Sequence, residues 1–170
     1  MIDTNQLRAD HIRPALKHID MWSEAAENLL LGTIALESRR GTYLRQIKGP
    51  ALGICQIEPA THIDVWENWI DYRPAISARV LEMVPPMYRI PDANRFIPVD
   101  ALALVACPLY AIAIARIIYR RVSAPLPAAS DWAGLEAYHK RHYNTMLGKT
   151  QPGEFIAAVQ SAGINTGGYA

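Results

Sequence analysis

The chain has almost no excess charge of either sign. Lysine and arginine total 17, aspartate and glutamate total 16, and the formal net charge is +1. Proteins that bind duplex nucleic acid through its phosphates usually carry a clear basic excess. We therefore expect no nucleic-acid partner, whereas a neutral or weakly anionic glycan remains compatible with this charge balance.

Long apolar runs are scarce as well. Residues 101–115 carry no charge but include Pro108, and a bilayer-spanning helix needs about 20 apolar residues. We expect this run to form a helix in a globular core, kinked near Pro108, without membrane insertion. Residues 1–6 lack the basic-then-apolar pattern of a secretory signal.

Cysteine is rare, and the sequence has no clear metal motif. Cys55 and Cys107 lie in apolar surroundings, which favours two buried free thiols, with one disulfide as the alternative. His139 and His142 are three residues apart on a predicted helix, a spacing that binds zinc only with further ligands. No such ligands stand out, so we expect neither a metal nor a cofactor.

Apolar residues, by contrast, are abundant. Hydrophobic residues make up 51% and charged residues 19% of the chain, a composition typical of a globular protein with a sizeable core. The length predicts a single domain, residues 1–170. The spacing of apolar residues predicts a mainly α fold, with helices over residues 13–21, 24–37, 59–70, 74–83, 100–121 and 131–143 and from residue 152. Ser23 and Asp131 are the predicted caps of the second and sixth of these helices.

Two segments interrupt the helical pattern. Residues 39–56 contain three glycines and a proline, which favours a small β-hairpin or irregular structure. Residues 84–98 contain four prolines, which predicts a loop insertion. This loop either covers a ligand groove or is a passive surface loop; the side chains that would make the cover are Tyr88, Arg89, Arg95 and Phe96.

Glu37 is the candidate catalytic acid, because it lies at the end of the predicted apolar helix over residues 24–37. Cleavage of a glycosidic bond needs a carboxyl group that still holds its proton near neutral pH, and burial favours that state. The negative end of a helix dipole favours the neutral form as well. The alternative is a solvated residue at the helix end, paired with Arg39 or Arg40.

Three short motifs surround this acid in the chain. The first is Glu37-Ser38, and the second is a turn from Gly53 to Gln56 followed by a helix start at Pro59-Ala60-Thr61. The third is Tyr143-Asn144. In this order they resemble the soluble lytic transglycosylase family of the lysozyme superfamily, over residues 29–159.

The resemblance implies a lysozyme-like fold with a glycan groove and one catalytic carboxyl group. Glu37 would be the general acid and then the general base. Gln56 would line the groove near the reacting sugar, and Tyr143 would help to orient Glu37. Ser38 and Asn144 would contact the substrate or shape its loop. The alternatives are that Gln56 caps the helix beginning at residue 59 and that Tyr143 packs in the core.

The resemblance also implies the reaction, cleavage of the β-1,4 bond between N-acetylmuramic acid and N-acetylglucosamine with a 1,6-anhydro product. A muramidase on the same fold is the first alternative, and its second carboxylate would be Glu58, Asp64 or Asp100. A catalytically silent structural or wall-binding protein is the second. Two features differ from the family: Cys55 replaces a common methionine, and the middle of the chain is longer.

Short stand-alone members of this type resemble phage proteins, and here Thr145, Gly148 and Lys149 follow the third motif. The implied partners are peptidoglycan glycan strands and other phage tail proteins. The implied location is the virion tail, or the host cytoplasm before release, with action in the periplasm and cell wall.

Overall fold

The computed structural model describes residues 1–90, 98–143 and 151–166. Over these residues the protein is mainly helical, and its β-structure is confined to isolated bridges. The elements are α1 (Thr4–Gln6), a π-helical segment (Leu7–Ile12), α2 (Arg13–His18), α3 (Glu24–Ser38), α4 (Pro59–Val65), a second π-helical segment (Trp66–Ile70), α5 (Pro74–Glu82), a 3-10 turn (Pro86–Tyr88), α6 (Ala103–Ala106), α7 (Pro108–Arg120), α8 (Trp132–His142) and α9 (Glu154–Ser161).

Helical structure begins earlier than the sequence pattern predicted. The side chain of Asp3 accepts hydrogen bonds from the backbone of Asn5 and Gln6, which starts the helix nine residues before Arg13. Pro14 is accommodated because the preceding π-helical segment has already changed the hydrogen-bond register. An α-helix does begin at residue 13, as predicted, but it continues helical structure that starts at Thr4, and it ends at His18 and not at residue 21.

Helix α3 passes through the core and carries Glu37 at its end. Ser23 accepts a hydrogen bond from the backbone N–H of Ala26, so the predicted N-cap is confirmed. The helix packs against α7, α8 and α9. The ring of Phe155 on α9 lies where a side chain at Gly32 would stand, 2.0 Å from the position of a Cβ. The glycine allows α9 to approach α3 closely.

The apolar run 101–115 is divided between two helices. Cys107 has an extended backbone (φ −127°, ψ 98°) and separates α6 from α7. A residue before proline is disfavoured in helical conformation, and Pro108 is well placed at a helix start. The predicted kink is therefore a complete break. Among the described helices, none has the length and apolar character to cross a bilayer.

Residues 39–56 are non-helical beyond the end of α3, as predicted, but they form no continuous hairpin. Antiparallel bridges join Leu52 to Arg45 and to Ile57. Gly53 has φ +76°, and a Cβ there would lie 2.1 Å from the carbonyl oxygen of Leu104. The turn from Gly53 to Gln56 is thus pressed against α6, which fixes its position relative to the core.

Candidate active site

Glu37 lies on the last turn of α3, and its side chain is 21% exposed. The helix ends because Arg39 and Arg40 adopt left-handed backbone conformations. The guanidinium of Arg39 lies over the ring of Tyr43, and that of Arg40 donates to Thr4 Oγ1 over 2.7 Å. Both arginines therefore make contacts away from Glu37, contrary to the ion pair considered from the sequence.

Ser38 fixes the turn that follows Glu37. Its hydroxyl donates to the carbonyl of Ile34 over 3.1 Å and accepts from the backbone N–H of Gly41 over 2.9 Å. The residue is completely buried. In this structure it positions the end of α3, and direct contact with a substrate stays a prediction.

The side chain of Gln56 hydrogen-bonds to the backbone of the turn that it ends and of a neighbouring segment. Its backbone is left-handed (φ 48°), and its side-chain amide donates to the carbonyls of Gly53 and Tyr43 over 2.8 and 3.3 Å. Helix α4 begins after Glu58 without a side-chain cap, so the alternative in which Gln56 caps this helix was wrong. The residue is partly exposed, and its role in lining a groove stays a prediction.

Tyr143 joins the end of α8 to the second motif. Its hydroxyl donates to the carbonyl of Cys55 over 2.7 Å, and its ring stacks on Tyr119 and on His139 at centroid distances of 5.1 and 5.4 Å. Its single hydroxyl proton is therefore directed to the backbone, and a role in orienting Glu37 stays a prediction. Asn144, with Thr145, Gly148 and Lys149, lies outside the described residues.

Among the described residues, the ion-pair partner of Glu37 is His139, which the three motifs did not include. His139 Nε2 lies 3.4 Å from Glu37 Oε1, and His139 is 1% exposed. The sequence suggested this histidine only as a weak zinc ligand, and the described residues hold no cluster of three or more potential ligands. Its spacing of four residues from Tyr143 places both on one face of α8, which could have pointed to it.

His139 continues a buried chain of polar groups. Its Nδ1 lies 2.8 Å from the hydroxyl of Tyr119 and 3.3 Å from that of Thr33, and these two hydroxyls are 2.7 Å apart. Thr33 also donates to the carbonyl of Leu29 over 2.8 Å. Thr33 lies one turn before Glu37 on α3, so one helix supports both ends of this chain of contacts.

Three other titratable groups among the described residues interact with Glu37, and burial keeps each of them neutral. Burial, reinforced by the charge of Glu37, raises the pKa of the Cys55 thiol, which is fully buried. Burial likewise raises the pKa of Tyr119 and Tyr143 well above the ordinary value. Cys55 is therefore unsuited to act as a nucleophile.

The acids considered as a second carboxylate have other contacts. Asp64 binds Arg121 over 2.6 Å, which lowers the pKa of Asp64. Asp100 accepts a hydrogen bond from the backbone N–H of Leu102 over 2.8 Å. Glu58 is exposed at the start of α4, two residues beyond Gln56.

A cavity of about 490 Å³ opens at the other end of α3. Glu24 and Asn28 belong to its lining, and Glu37 lies about 20 Å further along the same helix. The cavity is therefore separate from the Glu37 region. The buried acid beside it, Glu27, has a structural role: burial opposes its ionisation, but hydrogen bonds from two arginines and Trp22 outweigh this and lower the pKa of Glu27.

Comparison of the chain with protein-family models, with curated proteins and with solved structures finds no match. The resemblance to lytic transglycosylases therefore rests on the three sequence motifs and stays a prediction.

Proposed function

We propose that this protein is a lytic transglycosylase of lysozyme-like fold that cleaves peptidoglycan glycan strands. The observation that supports it most is the setting of Glu37. It is a single, partly exposed carboxyl group at the end of an otherwise buried helix, faced by a buried histidine. A general acid must be exposed enough to reach a substrate, and burial of its surroundings helps it to retain a proton.

In the proposed reaction, Glu37 gives its proton to the glycosidic oxygen as the bond from that oxygen to C1 breaks. The acetamido group of the substrate assists the departure. The carboxylate of Glu37 then accepts the proton of the sugar's 6-hydroxyl, whose oxygen forms the new bond to C1. No water is consumed, and Glu37 ends the cycle protonated as it began.

Two further observations support a mechanism with one carboxylate. Hydrolysis by retaining or inverting glycosidases usually uses a pair of carboxyl groups on either side of the bond. Asp64 and Asp100 are held by Arg121 and by the backbone of Leu102. Of the three acids considered, Glu58 is the candidate for a muramidase, because it is exposed near the second motif.

The segment that follows Glu37 in the chain carries side chains that suit a glycan with acidic peptide stems. Tyr43 is exposed and lies under the guanidinium of Arg39, and Arg45 and Lys48 follow within five residues. Aromatic faces stack on sugars and arginines bind carboxylates. In this proposal the enzyme belongs to a phage, either as a tail component or as a lysis enzyme, and acts on the cell wall.

The test is digestion of purified peptidoglycan, with the products identified by mass. The variant Glu37→Gln removes the acid, and Glu24→Gln makes the same change at an exposed position on the first turn of the same helix. Anhydro-muropeptides from the wild type and Glu24→Gln, but not from Glu37→Gln, would support the proposal. Products heavier by one water would make the protein a muramidase and direct attention to Glu58. No products from a folded wild type would leave a structural or wall-binding role.

A further inference from the structure

We propose that His139 is a positioning residue that holds one proton jointly with Glu37, in a tautomer fixed by Tyr119 and Thr33. The inference deepens the proposed function, because it identifies how the acid of that site would keep its proton. It is carried by the geometry of a buried chain of contacts through three helices, α3, α7 and α8.

The direction of the hydrogen bonds in this chain can be assigned from Thr33. Its hydroxyl lies 2.8 Å from the carbonyl oxygen of Leu29, and a carbonyl only accepts, so the one proton of Thr33 is directed there. Thr33 must then accept from Tyr119 over 2.7 Å. Tyr119, having donated its own proton, accepts from Nδ1–H of His139 over 2.8 Å.

This assignment places a proton on Nδ1. Nε2 of a neutral His139 then carries no proton, and its lone pair is available to accept one. Nε2 is buried, has no hydrogen-bond partner among the described residues, and faces Glu37 Oε1 at 3.4 Å. An ionised carboxylate opposite a bare nitrogen would be repulsive. One proton between the two atoms removes that repulsion, on either Glu37 or His139.

The contact between His139 and Glu37 lies in largely apolar surroundings on the histidine side. The ring of His139 lies between Tyr143, stacked at 5.4 Å, and Phe155 of α9, at 5.3 Å. Charges in such apolar surroundings are costly. The other titratable groups that interact with Glu37, namely Cys55, Tyr119 and Tyr143, stay neutral because burial raises the pKa of each.

Glu136 is the acid nearest to His139 on the same helix, and its carboxylate bonds to the start of α9. Glu136, one turn earlier on α8, accepts a hydrogen bond from the backbone N–H of Phe155 over 3.1 Å. It therefore holds the start of α9 and makes no described contact with the imidazole. The proton of the pair is thus controlled by Glu37 on one side and by the Tyr119 hydroxyl on the other.

The decisive measurement is the ¹⁵N chemical shift of both ring nitrogens of His139 between pH 6 and 8, in wild type and Glu37→Gln. We expect Nδ1 to be protonated in both proteins. We expect Nε2 to lie between the bare and protonated values in the wild type and at the bare value in Glu37→Gln. His142 lies one turn later on α8, packed edge-on against Tyr138, and is the internal control. Its ¹⁵N shifts should be the same in wild type and Glu37→Gln at each pH.

The inference is overturned if wild-type His139 carries its proton on Nε2 with Nδ1 bare. It is equally overturned if the Nε2 shift is the same in both proteins. Tyr119→Phe keeps the ring in the core but removes the acceptor of Nδ1–H, so the fixed tautomer should give way to a mixture. A single unchanged tautomer in this variant would exclude the role of Tyr119.

Activity supplies a second and separable readout. If the wild type digests peptidoglycan, His139→Gln should lose activity at lower pH on the alkaline side than the wild type, whereas His142→Gln should not. Unchanged profiles with an inactive Glu37→Gln would reject the inference and leave the proposed function standing. The expected ¹⁵N shifts in a folded but inactive wild type would reject the proposed function and leave the shared proton standing.

Discussion

His62 should make the protein less stable as the pH falls through the weakly acidic range. The residue is 1% exposed, its Nε2 bonds to the hydroxyl of Tyr110, and its Nδ1 has no partner among the described residues. Trp66 donates to the same tyrosine hydroxyl over 2.8 Å. Burial lowers the pKa of His62 to about 4, and the charge of Asp100 only partly opposes the effect.

The sign follows from proton binding in the two states. An unfolded histidine binds its proton near its ordinary value of 6.5, whereas folded His62 does so only near 4. Between these values the unfolded state binds more protons, so folding free energy is lost as the pH falls. The full difference corresponds to about 3 kcal/mol, of which about 2.5 kcal/mol is lost between pH 7 and pH 4.5.

Urea unfolding of wild type and His62→Gln at pH 7 and pH 4.5 isolates this contribution. Glutamine does not titrate, and it can still form a hydrogen bond with Tyr110. The variant should be less stable at pH 7 but should lose about 2.5 kcal/mol less than the wild type on acidification. His18→Gln, at an exposed histidine, is the control and should not reduce the acid loss. Equal losses in wild type and His62→Gln would refute the reasoning.

Three further predictions concern the site and the helix that carries it. Glu37→Gln should lower kcat/KM for peptidoglycan digestion by about 10²- to 10⁴-fold, because it removes the acid while keeping the shape of the side chain; an active variant would exclude Glu37 as the acid. Gly32→Ala should cost about 1 to 3 kcal/mol in urea unfolding, because its Cβ would stand 2.0 Å from the ring of Phe155; an unchanged midpoint would show that α9 can move aside freely. Tyr143→Phe should cost about 1 kcal/mol through the lost bond to the Cys55 carbonyl and should retain far more activity than Glu37→Gln; equal loss of activity would place the Tyr143 hydroxyl in the chemistry itself.

Features that depend on neighbouring residues could be predicted from the sequence. Ser23 and Asp131 are short polar residues ahead of apolar runs, and each caps its helix as predicted. Pro59 and Pro74 occupy the first turns of α4 and α5 for the same local reason. The position of Glu37 at the end of α3 belongs to this group, because the left-handed residues that end the helix follow directly.

Features that depend on contacts between distant helices were missed. The helix start at residue 4 was missed for a local reason, because the π-helical segment Leu7–Ile12 departs from the 3.6-residue periodicity by which helices are recognised. The pairing of His139 with Glu37 depends on how α8 packs on α3. This packing brings together two residues that are far apart in the chain. The spacing of four residues could have placed His139 on the face of Tyr143, but only the packed structure shows that Glu37 lies opposite His139.

The hydrogen bonds that satisfy the buried polar residue of α3 also determine the hydrogen bonding proposed at Glu37. A buried helix needs its polar side chains satisfied internally, and Thr33 meets this requirement by bonding to Leu29 and Tyr119. That arrangement commits Tyr119 to accept from His139, and His139 in turn presents a bare nitrogen to Glu37. Thr33→Val would therefore do more than remove a buried hydroxyl. It would free Tyr119 to donate to Nδ1, move the imidazole proton to Nε2, and so favour an ionised Glu37 over the protonated form that the proposed first step requires.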